Sequence, residues 1–156
     1  MKKIFAYTAS HLLAAVIGFA AGIYLLPILT AGEGPTAAQL KQAAGNAQYK
    51  GVFKKDLAGS DFVHWAQGTV AVGDKQIAFE GSVAPGPDYK VYLTSEFVDS
   101  KQGFLDIKKQ ALRVGEVKTF DGFIVDLPPG VDLSRYNTVV IWCEAYSQFI
   151  SAAQFR

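Results

Sequence analysis

The two side chains best suited to chemistry are Cys143 and His64. Cys143 is the only cysteine of the chain and stands between Trp142 and Glu144, at the end of an apolar run. A free thiol can act as a nucleophile, a redox group or a ligand, but cysteine also packs in protein cores as a small apolar residue. Both interpretations are open. On the first of them, Cys143 is our candidate catalytic and cofactor-binding residue.

His64 is the only histidine beyond the apolar N-terminal segment, which contains His11. A single histidine is commonly a surface or capping residue. Its functional alternative is to be a second ligand, or a base that lowers the pKa of a thiol nearby in space. We therefore take His64 as the candidate cofactor-binding partner of Cys143.

Composition and motif content exclude several classes of function. One cysteine excludes an intramolecular disulfide and a Cys-x-x-Cys redox motif. Beyond Lys2 and Lys3, 13 of the 15 basic residues remain against 14 acidic residues, so no strong field predicts nucleic acid as a partner. There is no Ser-His-Asp pattern, glycine-rich phosphate loop, His-Glu-x-x-His motif or metal-binding pattern. Whether the chain is an enzyme is therefore undecided; if it is redox-active, we expect an accessory electron-transfer domain.

The first 31 residues form a separate apolar segment. Residues 4–32 contain no Asp, Glu, Lys or Arg, and the run from Leu12 to Ala31 has the length, about 30 Å as a helix, of a bilayer hydrocarbon core. We predict a signal-anchor transmembrane helix over residues 1–31. A cleavable signal peptide is the alternative, but its apolar stretch would be shorter and the residues before Gly32 and Glu33 suit cleavage poorly.

Charge asymmetry predicts the orientation of this helix. Lys2 and Lys3 precede it, whereas the first basic residue after it is Lys41. The positive-inside rule keeps the lysine pair in the cytoplasm and puts the domain in the periplasm or outside the cell, as a single-pass membrane protein. Gly18 and Gly22 have the Gly-x-x-x-Gly spacing that allows helices to approach closely, so a homodimer through this face is among the expected partners.

The remaining chain divides into a linker and a β domain. Residues 32–49 are small and polar, with a helical tendency around residues 36–44 but an apolar face that we expect to be too thin to dock firmly. Strand patterns then recur to the end of the chain, and no helical periodicity is sustained after residue 48. For residues 50–156 we predict an all-β fold, a small antiparallel β-sandwich or open barrel of roughly seven to nine strands.

Local patterns predict how some of these strands connect. Gly73-Asp74-Lys75 and Asp121-Gly122 each separate two strand-like segments, which is typical of β-hairpins. The run Thr138–Cys143 is continuously apolar or β-branched, which predicts a strand buried on both faces in the middle of the core.

Residues 50–156 resemble the DM13 domain family. Each matching motif is common alone, but the combination of a Gly-Pro-Asp turn, a Leu-Ser-x-Tyr segment and a Trp-Cys strand is specific. The matching residues are Gly51-x-Phe53, His64-x-x-x-Gly68-x-Val70-x-Val72, Pro85-Gly86-Pro87-Asp88-x-x-Val91-Tyr92-Leu93, Val114-Gly115-Glu116-Val117-Lys118, Gly122, Leu127-Pro128, Val131-Asp132-Leu133-Ser134-x-Tyr136, Val139-Val140-Ile141-Trp142-Cys143, and Ala152 or Ala153.

The resemblance implies a small extracellular β module of a kind sometimes found beside domains linked to electron transfer. The cysteine of such domains has been proposed as a redox thiol or as the attachment point of a prosthetic group such as haem, a role that would pass to Cys143. A haem would need an axial partner, and without a methionine in the domain this would be His64 or a second thiolate. The cofactor is thus unknown, with haem implied by resemblance alone.

Two hypotheses from different classes follow. In the first, the chain is a membrane-tethered redox or electron-transfer accessory domain that uses Cys143 and meets a protein redox partner. In the second, it is a ligand- or protein-binding or adhesion module in which Cys143 belongs to the core.

Overall fold

Eight strands form where β-branched and aromatic residues are concentrated, and they build two antiparallel sheets. The computed structural model describes residues 1–156. The sheets have the strand orders β1-β2-β3-β6 and β5-β4-β7-β8, which confirms the all-β prediction in its sandwich form. The strands are β1 (Tyr49–Phe53), β2 (Ala66–Val72), β3 (Gln76–Val83), β4 (Tyr89–Thr94), β5 (Leu112–Glu116), β6 (Gly122–Asp126), β7 (Thr138–Cys143) and β8 (Gln148–Gln154).

The N-terminal helix α1 (Lys2–Thr30) has 29 residues and is long and apolar enough to cross a membrane. None of its residues is buried. The helix continues through Pro27 to Thr30, so this proline does not end it. A methyl group placed on Gly18 or Gly22 would meet no atom within 4 Å, which leaves that face open.

A second helix, α2 (Ala37–Gly45), lies within the segment predicted as a linker. It begins with a capping box, in which Gln39 N donates to Thr36 Oγ1 at 3.3 Å and Thr36 N donates to Gln39 Oε1 at 2.8 Å. Leu40 is 7% exposed and packs beside Gly122. The expectation that this helical face would be too thin to dock is therefore wrong, because one leucine is enough to attach it to the first sheet.

One of the two predicted hairpins forms. β2 and β3 pair across Gly73-Asp74-Lys75, and Gly73 N donates to Gln76 O at 2.9 Å. The prediction for Asp121-Gly122 is wrong, because β5 pairs with β4 in one sheet and β6 pairs with β3 in the other. A two-residue type I′ turn needs positive φ at both central residues. Asp121 does not have it, and Gly122, at +140°, is outside the range of such a turn, so no type I′ turn forms where the chain crosses between the sheets.

The strands β4 and β7 form the centre of the second sheet, and all six residues of each are buried. Their inner faces contribute Tyr89, Val91, Val139 and Ile141 to the core between the two sheets. Their outer faces belong to a second apolar cluster, to which the short helix α3 (Lys101–Ile107) contributes Phe104. The buried residues of this cluster are Tyr92, Val98, Phe104, Val140, Trp142, Phe149 and Ala152. The prediction of a strand buried on both faces at Thr138–Cys143 is confirmed.

The central position of β7 predicts a large effect of truncation. Ile141 is fully buried, so Ile141→Ala should lower the free energy of unfolding by about 2–5 kcal/mol, through lost transfer energy and the cavity that remains. Val52→Ala is the control, because Val52 is 55% exposed on the edge strand β1 and should cost about 0.5 kcal/mol or less. Urea denaturation followed by circular dichroism measures both; equal effects would contradict this view of the core.

Candidate functional site

Cys143 lies at the C-terminal end of β7, directly opposite Tyr89 of β4. Glu144 N donates to Asp88 O at 3.1 Å, so the next pair along, Tyr89 and Cys143, is a non-hydrogen-bonded pair. In such pairs the two Cα atoms are only about 4.5 Å apart and the side chains are closest. The sulfur donates to the Pro87 carbonyl at 3.1 Å. The strand register thus holds the thiol between a phenol and a backbone carbonyl.

Although Cys143 is only 3% exposed, it lines a pocket of about 430 Å³. His64 lines the same pocket, so the structure brings the two predicted site residues to one place. The pocket is predominantly apolar and is formed by α1, the loop before β2, the β3–β4 loop and the β7–β8 hairpin. Its lining residues are Ala20, Ile23, Tyr24, Val63, His64, Pro85, Gly86, Pro87, Tyr89, Cys143, Tyr146, Gln148 and Ile150.

Tyr89 and Gly86 shape one wall of the pocket. A methyl group on Gly86 would overlap the Tyr89 hydroxyl group, so glycine is required for the phenol to lie across this loop. Burial first, and then the neighbouring Cys143, raises the pKa of Tyr89 above its ordinary value. The phenol is therefore a neutral hydrogen-bond donor at physiological pH.

Asp61 holds the imidazole of His64. Its Oδ2 lies 2.8 Å from His64 Nδ1, and its Oδ1 accepts from the backbone N–H groups of Val63 and His64, both at 2.8 Å. Partial burial works against the charged form of Asp61, but the hydrogen bonds from His64 and Val63 keep its pKa below the ordinary value. An ionised Asp61 favours a proton on Nδ1, which leaves Nε2 as the acceptor nitrogen.

The surroundings of Cys143 favour the neutral thiol. Burial is the largest influence and raises its pKa; a backbone hydrogen bond from Tyr146 opposes this, followed by the negative charge of Asp88, which raises the pKa, and by weaker effects of Ala145 and Glu144. No hydrogen bond joins Cys143 to His64, and His64 does not contribute to the shift. That His64 lowers the thiol pKa stays a prediction.

As it stands in this structure, Cys143 is not arranged as a thiolate ligand to haem iron; covalent attachment of a haem to its sulfur is a separate role that stays a prediction. A cysteine binds haem iron as thiolate, whereas this sulfur is a buried donor to Pro87 O with a raised pKa. His64, with Nδ1 held by Asp61, has the geometry of an oriented ligand, but no group of three or more His, Cys, Asp or Glu side chains is placed to hold a metal ion.

Glu144, the neighbour of Cys143, belongs to a polar group on the opposite face of the sheet. Its carboxylate lies 2.6 Å from Lys108 Nζ and accepts from the Tyr92 hydroxyl group. The Lys108 ammonium lies 5.0 Å from the ring centroid of Trp142. These contacts join the segment after α3 to β7, outside the pocket. A larger polar groove of about 790 Å³, between α2 and β6, also contains neither Cys143 nor His64.

Comparison with known proteins gives one match. A family model described as "Electron transfer DM13" matches residues 53–155, which include Cys143, His64 and Tyr89. No curated protein and no solved structure matches the chain.

The raised thiol pKa predicts slow alkylation of native Cys143. Because only the thiolate reacts and a free cysteine has a pKa of about 8.5, labelling with N-ethylmaleimide at pH 7 should be at least about tenfold slower than for the urea-unfolded chain. The native rate should still rise with pH above about 10, where the thiol of the unfolded chain is almost fully ionised. Mass spectrometry of samples quenched over time measures this; equal rates for the two states at pH 7 would contradict the neutral, buried thiol.

Proposed function

The chain belongs to the DM13 electron-transfer family, and on this premise we propose that it is a membrane-anchored extracytoplasmic electron-transfer domain whose redox group is the Cys143 thiol. The observation that carries the proposal is the position of the sulfur: it is buried in the sandwich, yet it lines a pocket together with His64. An unpaired thiol outside the cytoplasm is an oxidation liability unless it is protected or used. Here burial protects the thiol, and a small molecule or a proton acceptor can still reach it from the pocket.

The neutral state of the thiol defines the step that we propose. Because the thiolate is disfavoured, the electron leaves together with the proton. The S–H bond breaks, the electron passes to the oxidised metal centre of a partner electron-transfer protein, and the proton passes through a water molecule in the pocket to His64 Nε2. Asp61 supports this by holding Nδ1 and by stabilising the imidazolium that forms.

The anchor and its orientation complete the proposal. The 29 residues of α1 correspond to about 43 Å, more than the hydrocarbon core requires. Lys2 and Lys3 stay on the cytoplasmic side by the positive-inside rule, so the sandwich faces the periplasm or the cell exterior. A homodimer through Gly18 and Gly22 remains part of the proposal.

The second candidate function is a binding module with a structural cysteine. The raised pKa of Cys143 and its hydrogen bond to Pro87 O favour it, because both are also what a core cysteine would show. In that case the pocket binds a ligand without electron transfer.

The redox role is tested on the full chain in nanodiscs with hexachloroiridate(IV), a one-electron metal-complex oxidant, and a nitrone spin trap. We expect a trapped sulfur radical in the native chain and none in Cys143→Ser. His64→Gln should slow oxidation of Cys143 at least about fivefold and reduce the solvent deuterium isotope effect, because the proton acceptor has changed.

Phe97→Ala is the control, since Phe97 is exposed and does not line the pocket. Its oxidation rate should equal that of the native chain. Oxidation confined to tyrosine and tryptophan, with Cys143→Ser behaving like the native chain, would exclude the redox role and leave the binding module.

The anchor has its own test. Because α1 is long enough to span a bilayer and the residues after it suit signal-peptide cleavage poorly, protein extracted from membranes should have the intact mass of a chain that begins at Met1 or Lys2. A species that begins at Gly32 or Glu33 would show that the helix is a cleaved signal peptide.

A further inference from the structure

Two tyrosines of α1 indicate where the helix meets the membrane surfaces. Tyr7 and Tyr24 are 17 residues apart, about 26 Å along the helix, close to the thickness of a hydrocarbon core. Tyrosine is enriched at both membrane–water interfaces. With Lys2 and Lys3 just beyond Tyr7, the interfacial preference of tyrosine favours a hydrocarbon span between Tyr7 and Tyr24, nearer the N-terminus than the apolar run Leu12–Ala31. Tyr24 then lies at the extracytoplasmic interface and the last turns of α1 lie among the headgroups.

The Cys143 pocket lies at this same level. Ala20, Ile23 and Tyr24 of α1 form one wall of it. Because the outer end of α1 forms part of its wall, the pocket lies beside the lipid headgroups when α1 spans the membrane.

Exposed aromatic residues surround the pocket. Phe62, next to the lining residues Val63 and His64, is 90% exposed, and the lining residue Tyr146 is 53% exposed. Large apolar side chains at the edge of a concave site are typical of contact with a membrane or another apolar partner. Continuity with α1 assigns them to the bilayer.

The lining of the pocket selects the charge and shape of its occupant. It contains no Asp, Glu, Lys or Arg side chain. The groups able to donate hydrogen bonds are the tyrosine hydroxyls and the Gln148 amide, and His64 Nε2 is an acceptor. Proline and tyrosine side chains supply flat apolar walls. Its volume of about 430 Å³ is within the range of small-molecule sites, which run from about 300 to 1,000 Å³. An uncharged ring with carbonyl or hydroxyl oxygens fits these features.

We propose that the pocket binds the ring of a lipid-soluble quinone, taken from the outer leaflet through the opening beside Tyr24. This inference rests on the proposed function in one respect, namely that α1 is a membrane anchor. It adds the chemical class of the ligand and its route, with the isoprenoid or alkyl tail left in the lipid.

The test uses the full chain in nanodiscs and a fully substituted benzoquinone with a decyl tail, which cannot alkylate the thiol. At saturation the quinone should slow N-ethylmaleimide labelling of Cys143 at least about tenfold. Duroquinone, the ring without a tail, should give the same protection at higher concentration. Decanol, a tail without a ring, should not protect.

Gly86→Ala should abolish protection, because its methyl group displaces the Tyr89 phenol, whereas Phe97→Ala should retain it. Thermal unfolding of both variants shows whether they fold. Gln148→Leu provides a second test: it removes one hydrogen-bond donor from the pocket and should weaken protection severalfold. Equal protection by decanol would overturn the quinone and indicate an acyl-chain site. No protection by either quinone would also overturn it.

The placement at the membrane is tested with a diazirine-labelled phosphatidylcholine in the same nanodiscs. Phe62 and Tyr146 should be modified, and the exposed Phe97 and Leu105 should not. The reverse pattern would overturn the placement. The two proposals can fail separately. If Cys143 is oxidised as expected but quinone does not protect it from labelling, only the quinone site is excluded. If quinone protects Cys143 but the thiol is redox-inert, only the electron-transfer role is excluded.

Discussion

The structure depends on the pairing of two strands that have no exposed face. β4 and β7 are each buried along all six residues, so their register is the most strongly determined in the domain. If one strand shifted by one residue, the side chains that now face the core between the sheets would face the cluster under α3, and those of the cluster would face the core. The register that avoids this puts Cys143 opposite Tyr89. The position of the thiol is therefore a consequence of packing, whatever chemistry it later performs.

The same burial determines the chemical state of the thiol. A strand end covered on both faces has a low effective dielectric, and the nearby charges, Asp88 and Glu144, are negative. Both effects oppose a thiolate, so nucleophilic chemistry at neutral pH is slow here. Burial thus protects the thiol from oxidation, and the redox role proposed for Cys143 requires a step in which a proton moves with the electron.

Local patterns predicted the elements, but not how distant segments meet. The run Thr138–Cys143 predicted β7 because burial on both faces leaves a continuous apolar signature, and Gly73-Asp74-Lys75 predicted a hairpin because its turn chemistry is local. Asp121-Gly122 has the same signature, yet its strands join different sheets, a choice made by long-range pairing. The shared pocket of Cys143 and His64 depends on the fold and had no local signal.

Asp61 was not predicted as a site residue, although the sequence pattern that positions it is local. Aspartate commonly accepts hydrogen bonds from the backbone N–H groups two and three residues after it, which forms a local turn. Asp61 does this with Val63 and His64, and it also holds the imidazole of His64. Its charge stays outside the lining, on the far side of His64. The pocket thereby gains an acceptor nitrogen without gaining a carboxylate, which would repel electron-rich ligands and raise the thiol pKa further. The absence of charged side chains from the lining and the protonated state of the thiol are thus consistent with one physical cause, because burial disfavours any charged group at this end of β7.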